Sequence, residues 1–152
     1  MIPILIPKLP RTADIARYMR VIEEKRCGSN FGTLERKLCD RLSEHFDGAH
    51  VVTVSSCTTG LELVYKIALK SGRLFLPLPA LTFVATGLAY FRARMTNEAV
   101  FKRFVDVDPD TWLSPHVAAW GVPVYGDIVD AAGAFGEQKV RKGQTAVFSL
   151  HA

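Results

Sequence analysis

Cysteine is too scarce here, and of the wrong parity, for a disulfide framework. Cys27, Cys39 and Cys57 lie far apart, and no Cys-x-x-Cys pair forms a metal knuckle. Such usage fits a reducing compartment, so a cytoplasmic location is expected. Neither His116 nor His151 has a Cys or His partner at ligand spacing, which excludes an ordinary zinc set. The acids Asp106, Asp108 and Asp110 in "DVDPDTW" lack the glycine and distant glutamate of a calcium loop and read as turn residues. Long apolar runs are missing too. The opening "MIPILIPKLP" is short and carries three prolines, so it forms neither a signal-peptide core nor a membrane span. There is no Walker or dinucleotide glycine pattern. A basic stripe is also absent: the net charge is +4, but Lys and Arg are scattered among acids and apolar residues, and no nucleic-acid or membrane partner is expected.

What is present is the composition of a packed domain, 49% hydrophobic and 22% charged in 152 residues. Thr12 reads as a helix cap before Ile15, Tyr18, Met19 and Ile22 on one face, with Gly28 beyond the end. A second helix starts near Thr33, carries Leu34, Leu38, Leu42 and Phe46, and stops at Asp47-Gly48. The period then changes. "VVTVS" (51–55) reads as a strand, and the stretch after it as a helix with Leu61, Val64, Tyr65 and Ala68 inward. "RLFLPLP" (73–79) is a strand, "TFVATGLAYFRA" a helix and "VFKRFVDVD" (100–108) a strand. "VPVYGDIVDAA" and "TAVFSLH" complete the set. Alternation of this kind predicts an α/β fold, a three-layer αβα domain with a mostly parallel sheet. Between Trp112 and Val122 there is no room for a crossover helix, so that connection is expected to be antiparallel or to have lost a unit.

Three places can carry chemistry. "SSCTTG" (55–60) joins a strand to a helix, where unpaired amides and the positive end of the helix dipole bind phosphate. Ser56, Cys57 and Thr58 are therefore candidate phosphate contacts, although serine and threonine also serve there simply as caps. Asp130, at the carboxyl end of an apolar strand in "DIVDAAGAF", needs a partner: a capping amide, an arginine, a metal or a protonated heterocyclic nitrogen. Phe83 in "LTFVAT" is either a stacking platform for a planar ring or a core residue.

In order, "NFGTLERKLCDRLSEHF", "VVTVSSCTTGLEL", "LPALTFVATGLAY", "FVDVDPDTW", "VDAAGAFG" and "VFSLHA" resemble the amino-terminal part of the DegT/DnrJ/EryC1/StrS family. These are pyridoxal-phosphate-dependent sugar aminotransferases of the aspartate-aminotransferase fold. The resemblance spans about Asn30 to Ala152. It implies that Ser56, Cys57 and Thr58 hold the cofactor phosphate, with Ser149 adding a contact. It also implies that Phe83 stacks on the pyridine and that Asp130 pairs with the ring nitrogen. Cys57 stands in place of the usual loop glycine, and Gly133 where many members have glutamine or histidine. The family's Schiff-base lysine follows two positions after the "HA" that ends this sequence, so no catalytic residue is assigned within it. The chain is expected to be an incomplete large domain, inactive alone.

On this reading residues 1–29 form an amino-terminal segment with its helix, and 30–152 a partial cofactor-binding domain. The implied activity is transfer of an amino group from a small-molecule donor to a keto (nucleotide-)sugar, in a homo-oligomer. The implied alternatives are a same-fold sugar dehydratase and a non-catalytic homologue that binds a phosphate ligand or a partner chain.

Overall fold

Helix α1, Thr12–Lys25, begins one residue after an extended Arg11, which occupies the cap position without a side-chain cap bond. Thr12 is thus the first helical residue rather than the cap, and the Arg11 guanidinium instead pairs with Asp14 one turn on, at 3.0 Å. The helix ends at Arg26 in the left-handed region. Helix α2, Thr33–His45, follows. Its amino end is tied by Glu35, whose carboxylate accepts from the Phe31 amide and the Thr53 hydroxyl. These bonds hold the Glu35 carboxyl below its ordinary value. The carboxyl end closes as expected: Asp47 and Gly48 both have positive φ, and the Gly48 amide returns to the Ser43 carbonyl at 2.8 Å.

The computed structural model describes residues 10–28, 31–72, 84–95, 115–118, 124 and 126–150, in two compact units divided between Thr53 and Val54. Helices α1 and α2 belong to the first. The second holds helix α3, Cys57–Lys70; helix α4, Val84–Met95; and strands β1, Pro115–Val117, β2, Ile128–Ala131, and β3, Thr145–Phe148. Among the described residues the fold is therefore mixed α/β, with four helices and one small parallel sheet in the order β1-β2-β3. No helix among them is long and apolar enough to cross a membrane.

Alternation along the strands explains the packing of this unit. Ile128 and Val147 point to one face and join Leu61, Tyr65, Ala68 and Leu69 of α3 and Ala89, Tyr90 and Ala93 of α4 in the main core. Val129 and Ala131 point to the other face and pack with Ala118 and Ala134. Gly60 lets α3 approach the sheet: a Cβ there would lie 2.8 Å from Val147 Cγ1. All four residues of β2 are buried, which suits a parallel strand covered on both faces.

Three expectations need correction or restriction. "VVTVS" forms no β-ladder among the described residues, and Val52 is 81% exposed, because a β-branched run becomes a strand only where another strand pairs with it. The runs at 73–79 and 100–108 lie outside the described residues. The connection from the 100–108 run to the Asp130 strand, expected to be antiparallel or to have lost a unit, therefore also lies outside the described residues. Pro115–Val117, which sequence patterning missed, pairs in parallel with Ile128–Ala131. Side chains anchor Val124 and Gly126 ahead of β2. The Gln138 amide accepts from the Val124 amide and donates to the Val124 and Lys139 carbonyls, and Gln144 donates to the Gly126 carbonyl at 2.6 Å.

Candidate functional site

The N-terminus of α3 follows an extended Ser56 whose hydroxyl accepts from the Thr59 amide at 3.1 Å. Ser56 therefore acts as a cap, and one of its acceptor positions is used within the helix. The amides of Cys57 and Thr58, in the first turn, have no intrahelical acceptor by virtue of position, and point out of the helix start together with its positive dipole. Thr58 is half-buried beside them.

Asp130 reaches the same place from the sheet. As residue i+2 from Ile128 it shares the face turned to α3, and it is 5% exposed. One carboxylate oxygen accepts from the Ala132 amide at 3.2 Å, and the Cys57 thiol approaches that oxygen at 3.9 Å and the Val147 carbonyl at 3.8 Å. The sulfur contacts are long, so they position more than they stabilise. Burial, and then the charge and hydrogen bonding of Asp130, push the Cys57 thiol up to about 12. It is a protonated donor, not a nucleophile.

Tyr65 completes this neighbourhood and was missed as anything but core. Cys57, Leu61 and Tyr65 follow one another at i, i+4 and i+8 on a single face of α3. Tyr65 is fully buried, its ring meets Tyr90 edge-on at 6.2 Å, and its hydroxyl has no hydrogen-bond partner. Burial and the charge of nearby Asp130 hold the phenol above its ordinary value. The available signal in the sequence was a polar-tipped tyrosine in an otherwise apolar stripe.

The structure thus brings Cys57 and Asp130 into contact, with Ser56 and Thr58 beside Cys57 on the chain. Ser149 follows β3, half-buried, and engages in interactions of its own. Phe83 and His151 lie outside the described residues. Gly133, just after Asp130, faces open space: no atom lies within 4 Å of a Cβ placed there. The described residues hold no cluster of metal ligands.

The donor set tests favourably against pyridoxal phosphate at two of the cofactor's ends. A helix start suits the dianionic phosphate, and a buried carboxylate with an orphaned phenol near it suits a protonated ring nitrogen. Neither a curated protein nor a solved structure matches the chain. The model of the DegT/DnrJ/EryC1/StrS aminotransferase family matches residues 11–120, a stretch that includes Ser56, Cys57, Thr58 and Phe83 and stops before Asp130 and Ser149. Matched over most of its length, the chain belongs to the DegT/DnrJ/EryC1/StrS aminotransferase family, whose members use pyridoxal phosphate.

Proposed function

We propose that this chain supplies the phosphate and ring-nitrogen subsites of a pyridoxal-phosphate-dependent sugar aminotransferase, on part of a three-layer αβα large domain. The amino group would pass from a small-molecule donor to a keto (nucleotide-)sugar, in a cytoplasmic homo-oligomer. One observation carries the reading: Cys57 at the start of α3 and Asp130 at the end of β2, 73 positions apart, meet side by side. A phosphate-binding helix start and a buried carboxylate are the two anchors that a phosphorylated pyridine requires.

In this assignment the amides of Cys57 and Thr58 and the Thr58 hydroxyl bind phosphate, Ser56 fixes the helix start that presents them, and Ser149 adds a further contact. Phe83 offers its ring as a stacking surface. Asp130 holds a proton on the ring nitrogen by presenting a negative charge in a site where water is scarce. When bound, pyridoxal phosphate supplies an electron sink and the carbonyl that accepts an amino group.

Isothermal titration with pyridoxamine 5'-phosphate and with inorganic phosphate separates the two subsites. Asp130→Asn is expected to weaken pyridoxamine phosphate binding about tenfold or more while leaving phosphate binding near the parent value. Equal affinity of the parent for the two ligands would refute the ring-nitrogen role.

A further inference from the structure

Gln138 stands between exposed Glu137 and Lys139 in a polar stretch, yet it is 1% exposed. Burying a carboxamide is costly unless both of its ends are bonded, and here they are. Its oxygen accepts from the Val124 amide at 2.9 Å, and its nitrogen donates to the Val124 carbonyl at 3.0 Å and the Lys139 carbonyl at 2.8 Å. The side chain therefore serves Val124 as a neighbouring strand would, satisfying both of its peptide groups. Asparagine is one methylene shorter, and an ionised glutamate has no donor for the two carbonyls.

From this anchor the backbone leads to Asp130 in short bonded steps. The Gln138 and Glu137 amides donate to the Ala134 carbonyl at 3.0 and 3.1 Å, and the Ala134 amide donates to the Ala131 carbonyl at 3.0 Å. Inside that turn, the Ala132 amide donates to one carboxylate oxygen of Asp130 at 3.2 Å. Ala134 also packs against Val129 and Ala131 of β2. The turn that carries the Ala132 amide is thus closed at one end by β2 and at the other by Gln138.

We propose that Gln138 is a positioning residue for Asp130. By pinning the return segment 132–138 to Val124 it fixes the Ala132 amide, and that amide sets the orientation in which the carboxylate meets a protonated heteroaromatic nitrogen. The inference rests on the reading of Asp130 as the ring-nitrogen partner. A carboxylate held by a backbone amide keeps its orientation only as well as the amide keeps its place. Coupling of this kind is reciprocal, so a ligand that tightens the carboxylate also tightens the bonds at Val124.

Residue-resolved amide hydrogen exchange of the full chain, alone and with pyridoxamine 5'-phosphate or inorganic phosphate, tests this in the parent. Pyridoxamine phosphate should slow the Ala132, Ala134 and Val124 amides together by about fivefold, the worth of one hydrogen bond, and phosphate should leave them unchanged. Isothermal titration of two variants adds a second readout. Gln138→Met keeps the length but loses all three bonds, and should weaken pyridoxamine phosphate binding about fivefold while phosphate binding stays near the parent value. Gln144→Met is the control, because Gln144 bonds to Gly126 and Arg141 rather than to the turn, and it should leave both affinities near the parent values. Slowing at Ala132 without slowing at Val124 would overturn the inference and leave Asp130's role intact, since the ligand would be felt at the carboxylate and no further. Equal losses in the two methionine variants would also overturn it, because any slack ahead of β2 would then suffice. The exchange measurement needs no variant, so it decides the matter even if Gln138→Met fails to fold. A parent that responds equally to the two ligands would remove the ring-nitrogen reading and, with it, the role of Gln138.

Discussion

Helices α2 and α3 are nearly the same length and both carry apolar residues at helical spacing, but they end in different circumstances. Neither α1 nor α2 contains a buried residue, whereas α3 buries Gly60, Leu61, Tyr65, Ala68 and Leu69. In the first unit Ile15 and Met19 remain about half exposed, at 47% and 50%, so the stripe marks a surface able to pack without itself supplying a cover. In the second unit the same kind of stripe meets a sheet. Amphipathic spacing therefore encodes the direction of burial, and its extent depends on what the rest of the chain brings to that face.

The contrast is sharpest in thiol chemistry. With its thiol pushed up to about 12, Cys57 should react with iodoacetamide near pH 8 on the order of a hundredfold more slowly than Cys27 and Cys39 of the first unit. Peptide mass mapping over time reads this directly, and comparable rates at all three would show that Cys57 is not held protonated. The same shift has a sign for stability. A thiol raised in the folded state contributes below the ordinary value of 9.0, and its contribution is lost as pH climbs from there towards about 12. Cys57→Ala should flatten that part of the alkaline decline.

Core truncation comes next. Leu61 is fully buried and Leu38 is 38% exposed. Urea unfolding is expected to show a loss of about 2–5 kcal/mol for Leu61→Ala and under about 1 kcal/mol for Leu38→Ala. Similar losses would mean that α2 is packed as tightly as α3.

Two glycines within the second unit probe its close approach and its open space. Gly60→Ala drives a methyl against Val147 and Val54 and should cost about 1–3 kcal/mol. Gly133→Ala meets nothing within 4 Å and should be close to neutral. An unaffected Gly60→Ala protein would show that α3 can shift away from β3 at little cost.

The smallest effect belongs to the first unit and has the opposite pH sense. Bonds from Thr53 and Phe31 lower the Glu35 carboxyl, so its contribution is present above the ordinary 4.5 and fades as pH falls through the lower folded value. Hydrogen exchange of the α2 amides should accelerate on acidification in the parent and respond less in Glu35→Gln. An identical acid response would remove Glu35 as the source.

All four described helices were legible from spacing, and so was the stop at Asp47-Gly48, because these depend on neighbours along the chain. Strand β1 was not: a three-residue "PHV" carries no period, and only its pairing with Ile128–Ala131 makes it a strand. "VVTVS" failed in the opposite sense, since β-branched residues favour a strand without supplying its partner. At the candidate site, sequence could nominate Ser56, Cys57, Thr58 and Asp130 by their places at a helix start and a strand end. It could not decide between cap and ligand contact for Ser56, which requires knowing that its hydroxyl already accepts from Thr59.

The amino-acid sequence by itself determined the four described helices, the mixed α/β class and the family, and it nominated residues for a phosphate and a ring nitrogen. All of these are set by local spacing and side-chain chemistry. Only the tertiary structure decided that Cys57 rests against Asp130, that its thiol stays protonated, and that a phenol expected merely to fill the core ends beside them without an acceptor. Proximity across 73 positions, and the low dielectric that gives it force, arise when α3 packs onto the sheet.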